Sequence, residues 1–96
     1  MAQHKERMSA EFQKLGPNSA RSADGFTVFW RPAGGIDFIY AGGTVRVDSE
    51  VLVNPARILI YPQSRDLRAM PGDVAELIVH NISKALEFLG HEYEIW

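Results

Sequence analysis

One long amphipathic segment, residues 73–89, limits what this chain can fold into. Its sequence, DVAELIVHNISKALEFL, repeats apolar residues at steps of three and four, which places them along one face of a helix. That apolar face consists of Ala75, Ile78, Val79, Ile82, Ala85, Leu86 and Leu89, and the opposite side consists of Asp73, Glu76, Ser83, Lys84 and Glu87. An apolar face of this width needs a second layer to cover it, so the sequence predicts a helix packed on a β-sheet.

Both ends of the predicted helix carry boundary signals. Asp73 followed three residues later by Glu76 resembles a capping box, and the preceding Pro71 and Gly72 stop a helix from beginning earlier. Gly90 offers the left-handed conformation that ends many helices. We therefore expect the helix to begin at residue 73 and to end at residue 89.

The apolar period changes to two between residues 25 and 61, which is typical of strands. The alternation and its turns predict strands at residues 26–31, 36–40, 44–48, 51–53 and 57–61, and the ending HEYEIW predicts a last strand. Residues 63–70 follow neither period and are expected to be an exposed connection. Short turns force neighbouring strands to pair, so the sequence predicts an α+β fold with a mainly antiparallel sheet of five to six strands, one long helix on one face and an N-terminal helix.

The first part of the sequence has a weaker pattern. Residues 2–15 predict an N-terminal helix with a narrow apolar stripe of Met8, Phe12 and Leu15, and residues 19–24 predict a polar connector. We therefore divide the chain into an N-terminal helix and linker, residues 1–24, and an α+β domain, residues 25–96, which together form a single globular domain of common size.

Composition narrows the classes of function. Hydrophobic residues at 46% and charged residues at 23% are ordinary values for a globular domain. The net charge is −2, and the ten basic residues are dispersed among twelve acidic ones. This dispersal argues against nucleic-acid binding, which usually requires a basic stripe. The absence of cysteine excludes disulfides and thiolate chemistry, and no apolar run is long enough to cross a membrane. These features predict a cytoplasmic protein whose partners include neither nucleic acid nor a membrane.

No residue pattern predicts catalysis. The three histidines, His4, His80 and His91, have no partner at a useful spacing, and no zinc motif is present. No serine lies in a nucleophile elbow, and the glycine pairs join two strands rather than a strand and a helix, so they are interpreted as turns. The sequence therefore predicts no catalytic residue, no metal site and no cofactor, and we expect the protein not to be an enzyme.

Acidic residues at the predicted strands indicate a surface for a basic partner. Strand alternation is expected to point them away from the core, and an aromatic residue at the end of the sequence can anchor a contact. The predicted partner-binding residues are Asp37, Asp48, Glu50, Glu92, Glu94 and Trp96.

Residues 43–96 carry a resemblance to a known family. The segments GGTVRVDSEVLV and RILIYPQ, the helix start Pro71-Gly72-Asp73 and the ending KALEFLGHEYEIW follow one another as in the immunity protein 74 family of polymorphic-toxin and contact-dependent-inhibition systems, which this chain resembles. The resemblance implies a non-enzymatic antitoxin that binds a cognate toxin, often a nuclease, in the cytoplasm. It carries over no catalytic residue.

Two alternatives to an immunity protein remain open from the sequence. One is a small ligand-binding or enzymatic α+β domain with an apolar pocket between Trp30, Phe38, Tyr40 and the helix. The other is a homo-oligomeric structural subunit that pairs through an edge strand at residues 92–96.

Overall fold

The computed structural model describes residues 12–96, which form two β-sheets and two helices. The helices are α1 (Arg65–Arg68) and α2 (Gly72–Phe88), and the strands are β1 (Phe12–Gly16), β2 (Ser19–Ser22), β3 (Thr27–Arg31), β4 (Gly35–Tyr40), β5 (Gly43–Val47), β6 (Ser49–Leu52), β7 (Arg57–Ile60) and β8 (Tyr93–Ile95). The predicted α+β class, the antiparallel sheet and the long helix are confirmed.

The larger sheet is an antiparallel meander of five strands in the order β1-β2-β3-β4-β5. Its inner face contains one row that crosses four strands, because Ala20 pairs with Val28, Val28 with Phe38, and Phe38 with Val45. All four side chains are buried. The alternation of apolar and polar residues in the sequence therefore sets which side of this sheet faces the core.

A second, three-stranded sheet, in the order β6-β7-β8, was not predicted. Only Asp48 separates β5 from β6, which is too short for a hairpin, and the α1 region occupies the outer edge of β5 instead. The amide of Arg46 donates to Asp66 Oδ2 at 2.9 Å, and the amide of Asp48 donates to Ser64 Oγ at 2.8 Å. Strand β6 instead pairs antiparallel with β7, and β8 pairs parallel with β7 after the long crossover through α2.

Helix α2 begins and ends within one residue of the predicted positions. Of the two predicted end signals, one is wrong and one is confirmed. The capping box is wrong, because Pro71 is the N-cap residue and Asp73 Oδ1 accepts only the adjacent amide of Val74, at 3.0 Å. The glycine signal is confirmed, since Gly90 has a φ of 85°. The amide of His91 donates to the Leu86 carbonyl at 2.9 Å, which closes a Schellman motif.

The core lies between α2 and the inner faces of both sheets. Helix α2 contributes Ile78, Val79, Ile82, Ala85 and Leu86 as predicted, with Ala75 and Leu89 partly buried against them. Ser83, which was predicted on the solvent side, is buried, and its hydroxyl donates to the Val79 carbonyl at 2.9 Å. The expectation of a fully exposed connection at residues 63–70 is also wrong, because Leu67 of α1 lies in the core.

The sequence interpretation of residues 12–22 is wrong. Residues 12–15 were predicted as the end of a helix and 19–24 as a connector, but β1 and β2 form the first two strands of the larger sheet. Phe12 packs against the rings of Phe26 and Phe88, at centroid distances of 6.0 and 5.4 Å, and this tertiary packing outweighs a weak helical pattern. The remainder of the predicted N-terminal helix lies outside the described residues.

Candidate functional site

The outer face of the three-stranded sheet brings together most of the predicted partner-binding residues. Ile58 and Ile60 of β7 point into the core, so the residues that alternate with them point outward. By cross-strand register, Glu50 of β6 and Glu94 of β8 both lie next to Leu59. The outer face includes Asp48, Glu50, Arg57, Leu59, Tyr61, Glu92, Glu94 and Trp96.

Side-chain contacts fix the positions of two of these carboxylates. Glu94 Oε2 accepts from Arg57 Nε at 2.6 Å, and Arg57 Nη1 also donates to the Pro55 carbonyl at 2.7 Å. Glu50 accepts a hydrogen bond from the Tyr61 hydroxyl. The two glutamates are therefore held in place by neighbours on β7 and lose less side-chain freedom when a partner binds.

The outer face carries a strongly negative local charge. Asp48, Glu50, Glu92 and Glu94 are exposed, and Arg57 is the one cationic side chain among the outer-face residues. The hydrogen bond to Glu50 raises the pKa of Tyr61 above its ordinary value of 10.0, and desolvation and the Glu50 charge act in the same direction. Tyr61 therefore stays a neutral donor near pH 7.

Trp96 is the largest exposed apolar side chain on this face. Its ring centroid lies 5.8 Å from that of Tyr61, and 73% of the residue is solvent-exposed. A tryptophan supported on one side and free on the other is the type of side chain that dominates binding energy at protein interfaces. The outer face therefore combines carboxylates with an aromatic anchor.

Asp37 does not belong to this face. It lies on the larger sheet and is only 6% exposed, with Oδ2 2.5 Å from Arg31 Nη1 and Oδ1 2.8 Å from Arg46 Nε. The prediction that Asp37 is exposed to a partner is wrong, because the two flanking arginines cover the carboxylate and neutralise it. We interpret this cluster as structural.

Sequence reasoning missed Arg57, Leu59 and Tyr61 as members of the site. Residues 57–61 were interpreted only as an apolar strand, although their sequence RILIY does alternate around Ile58 and Ile60. That alternation already indicated that these residues point away from the core. The sequence did not indicate that β7 pairs with β8, which places these residues beside Glu92, Glu94 and Trp96.

The apolar pocket of the ligand-binding alternative is divided in the structure. Phe38 and Tyr40 line a groove of about 450 Å³ against Val74 and Leu77 of α2. Trp30 lies elsewhere, with its ring edge-on to His91 at a centroid distance of 4.9 Å. The three aromatic residues predicted to form one pocket therefore do not share one.

Residues 12–96 contain no group of three or more His, Cys, Asp or Glu side chains arranged to hold a metal ion. Within the same residues, neither helix combines the length and the apolarity that a membrane span requires.

Comparisons with protein families, with curated proteins and with solved structures gave no match to this chain. The resemblance to immunity proteins therefore stays a prediction, and the outer face is assessed on its own chemistry.

Proposed function

We propose that this chain is a non-enzymatic immunity protein that binds and neutralises a cognate bacterial toxin in the cytoplasm. The observation that supports this proposal most is the outer face, where four exposed carboxylates share one side of a sheet with the exposed ring of Trp96. The order of motifs along residues 43–96 points to the same class of protein. Neutralisation by binding requires an interaction surface and no reacting group.

The charge of the outer face favours a basic partner such as a nuclease. A nuclease cleft is basic because it holds phosphates, so a surface of carboxylates can occupy it in place of the nucleic-acid backbone. Asp48, Glu50, Glu92 and Glu94 would accelerate the encounter and set its orientation. Covering the cleft then inhibits the toxin without any chemical step.

Trp96 would supply most of the binding energy. Charged residues at the rim of an interface mainly affect association, whereas a desolvated tryptophan at its centre contributes about 2 kcal/mol or more. Tyr61 lies beside Trp96, so a partner placed here would bury an aromatic centre within a charged rim.

A second candidate function is ligand binding in the groove between β4 and α2. The observation that favours it is the exposure of apolar residues at that groove, with Leu77 57% exposed beside Val74 and Tyr40. A small apolar molecule that remains bound through purification, and that is lost on Leu77→Lys substitution, would support this candidate over toxin binding.

Toxin binding is tested by capture of a toxin domain encoded beside this chain. The wild-type protein is expected to retain the toxin domain and to block its activity, and a Glu50→Lys/Glu94→Lys variant is expected to do neither. Asp24→Lys is the matched control, because Asp24 is an exposed carboxylate of the β2–β3 turn, away from the outer face. Failure of the wild-type protein to inhibit the toxin, or equal inhibition by the double variant, would contradict the proposal.

A further inference from the structure

We propose that the free edge of β8 accepts an extended strand of the partner, whose residues alternate between basic and apolar. This inference rests on the proposed function, because the partner strand is taken to belong to the toxin. It specifies how the toxin is held and what sequence pattern its contacting segment carries.

The backbone of β8 is hydrogen-bonded on one side. The amide of Ile58 donates to the Glu92 carbonyl at 2.9 Å, and the amide of Trp96 donates to the Ile60 carbonyl at 3.0 Å. Backbone groups alternate along a strand, so those of Tyr93 and Ile95 point to the opposite edge. Among residues 12–96, no backbone hydrogen bond joins Tyr93 or Ile95 to a segment on that side.

The outer edge of β5, in contrast, is protected by side-chain hydrogen bonds. The amide of Arg46, and that of Asp48 directly after the strand, donate to the side chains of Asp66 and Ser64. Strand β8 has no comparable cover among the described residues, and Ile95 is 49% exposed. An uncovered edge of this kind is a template for strand addition.

The surroundings of β8 differ on its two sides. On the outer side lie Glu92 and Glu94, which favour lysine or arginine in an added strand. On the inner side lies a groove of about 570 Å³ between β8 and α2, lined in part by Ala75, Val79 and Ile95. Successive side chains of a strand point to opposite faces, so one added strand would place basic residues over the glutamates and apolar residues in the groove.

A second copy of this chain fits the same edge poorly. Pairing of β8 with β8 of another copy would bring two sets of Glu92 and Glu94 onto one continuous sheet face. Like charges at neighbouring cross-strand positions are destabilising. Charge complementarity therefore favours a basic partner strand over self-association.

The test uses the full chain and an eight-residue peptide of alternating lysine and valine, with blocked ends, as the probe. Amide hydrogen exchange is measured residue by residue with and without the peptide. We expect exchange at Tyr93 and Ile95 to slow by about tenfold or more at saturation, while a peptide of alternating glutamate and valine has no effect. Binding of the lysine peptide with no change at these two amides, or no binding at millimolar peptide, would overturn the proposal.

Two variants isolate the backbone contribution. Ile95→Pro removes the outward amide and leaves the β7 ladder intact, because proline is tolerated at an edge position, whereas Ile95→Ala keeps the amide and removes only the side chain. We expect Ile95→Pro to bind the lysine peptide about tenfold or more weakly than Ile95→Ala, with both variants folded by thermal unfolding. Equal affinities would exclude strand addition. If the unliganded protein forms a dimer that protects the same amides, the choice of a basic partner is wrong.

The peptide experiment separates this inference from the proposed function. Peptide binding without inhibition of the toxin would contradict the immunity function and leave the strand-binding edge in place. Inhibition of the toxin without protection of Tyr93 and Ile95 would support the immunity function and exclude strand addition at β8.

Discussion

Glu50 of β6 and Glu94 of β8 lie on either side of Leu59 on one sheet face. The two glutamates come together because α2 returns the chain to the free side of β7, where β8 pairs in parallel. The candidate binding face therefore depends on this crossover. Substitutions on this face separate its contribution to binding from its contribution to stability.

Trp96→Ala is expected to weaken toxin binding by about 2 kcal/mol, or roughly thirtyfold, with little change in the free energy of unfolding. The reason is that Trp96 is largely exposed and makes one aromatic contact, to Tyr61. Calorimetric titration and thermal unfolding measure the two effects. Leu77→Ala, which truncates an exposed side chain of α2, is the control and should leave affinity unchanged. A large loss of stability with normal affinity in the folded fraction would assign Trp96 to the core.

Asp37→Asn is expected to lower the free energy of unfolding by about 1–2 kcal/mol and to leave toxin affinity unchanged. The substitution removes the charge that Arg31 and Arg46 share, although both arginines remain partly solvated. Urea unfolding measures the effect, with Asp73→Asn at an exposed carboxylate as the control. Reduced affinity in a protein of unchanged stability would restore Asp37 to the binding face.

Gly35→Ala is expected to destabilise the protein by about 1–3 kcal/mol. Gly35 has a φ of 89°, and a Cβ there would lie 3.0 Å from the Val47 carbonyl oxygen. Gly34→Ala is the matched control, because a Cβ at Gly34 meets only Arg31, at 3.4 Å. Equal midpoints of urea unfolding for the two variants would refute the strain expected at Gly35.

Alkaline titration tests the hydrogen bond between Tyr61 and Glu50. The raised pKa of Tyr61 means that its protonated form is favoured in the folded state, so this contribution to stability is full below pH 10.0 and is lost as pH rises through the folded pKa. Glu50→Gln weakens the hydrogen bond and removes the charge, both of which raise the pKa of Tyr61, so Tyr61 should then ionise at lower pH. The ultraviolet absorbance of tyrosinate reports this, with Tyr61→Phe identifying the transition. An identical titration in Glu50→Gln would show that Glu50 does not control Tyr61.

The strands between residues 25 and 61 were predictable because their alternation is strong and their turns are short. The pair Gly34 and Gly35, for example, was interpreted as a turn, and it lies where β3 leads into β4, with Gly35 at a positive φ. Residues 12–22 were not predictable in this way. The spacing of Phe12 and Leu15 fits a helix locally, and only contacts with Phe26 and Phe88 favour a strand. The second sheet also depends on a non-local contact, because β8 pairs with β7 only after the crossover through α2.

The acidic character of the candidate site was predictable from the sequence, but the set of residues that forms the site was not. Alternation alone placed Asp37 outside the core, and it could not reveal that Arg31 and Arg46 converge on that carboxylate from both neighbouring strands. It also could not place Glu50 near Glu94, since the pairing of β8, which carries Glu94, with β7 depends on the path of α2.

Toxin binding by the outer face is tested most directly by the rate at which this protein associates with the captured toxin domain, measured at low and high salt. We expect Glu50→Lys/Glu94→Lys to slow association by about tenfold or more and to reduce its salt dependence, and we expect no comparable effect of Asp24→Lys. Arg57→Gln, which removes the one cation of the outer face, should speed association at low salt. Association rates that are the same for all these proteins at both salt concentrations would contradict the claim that the outer face binds the toxin.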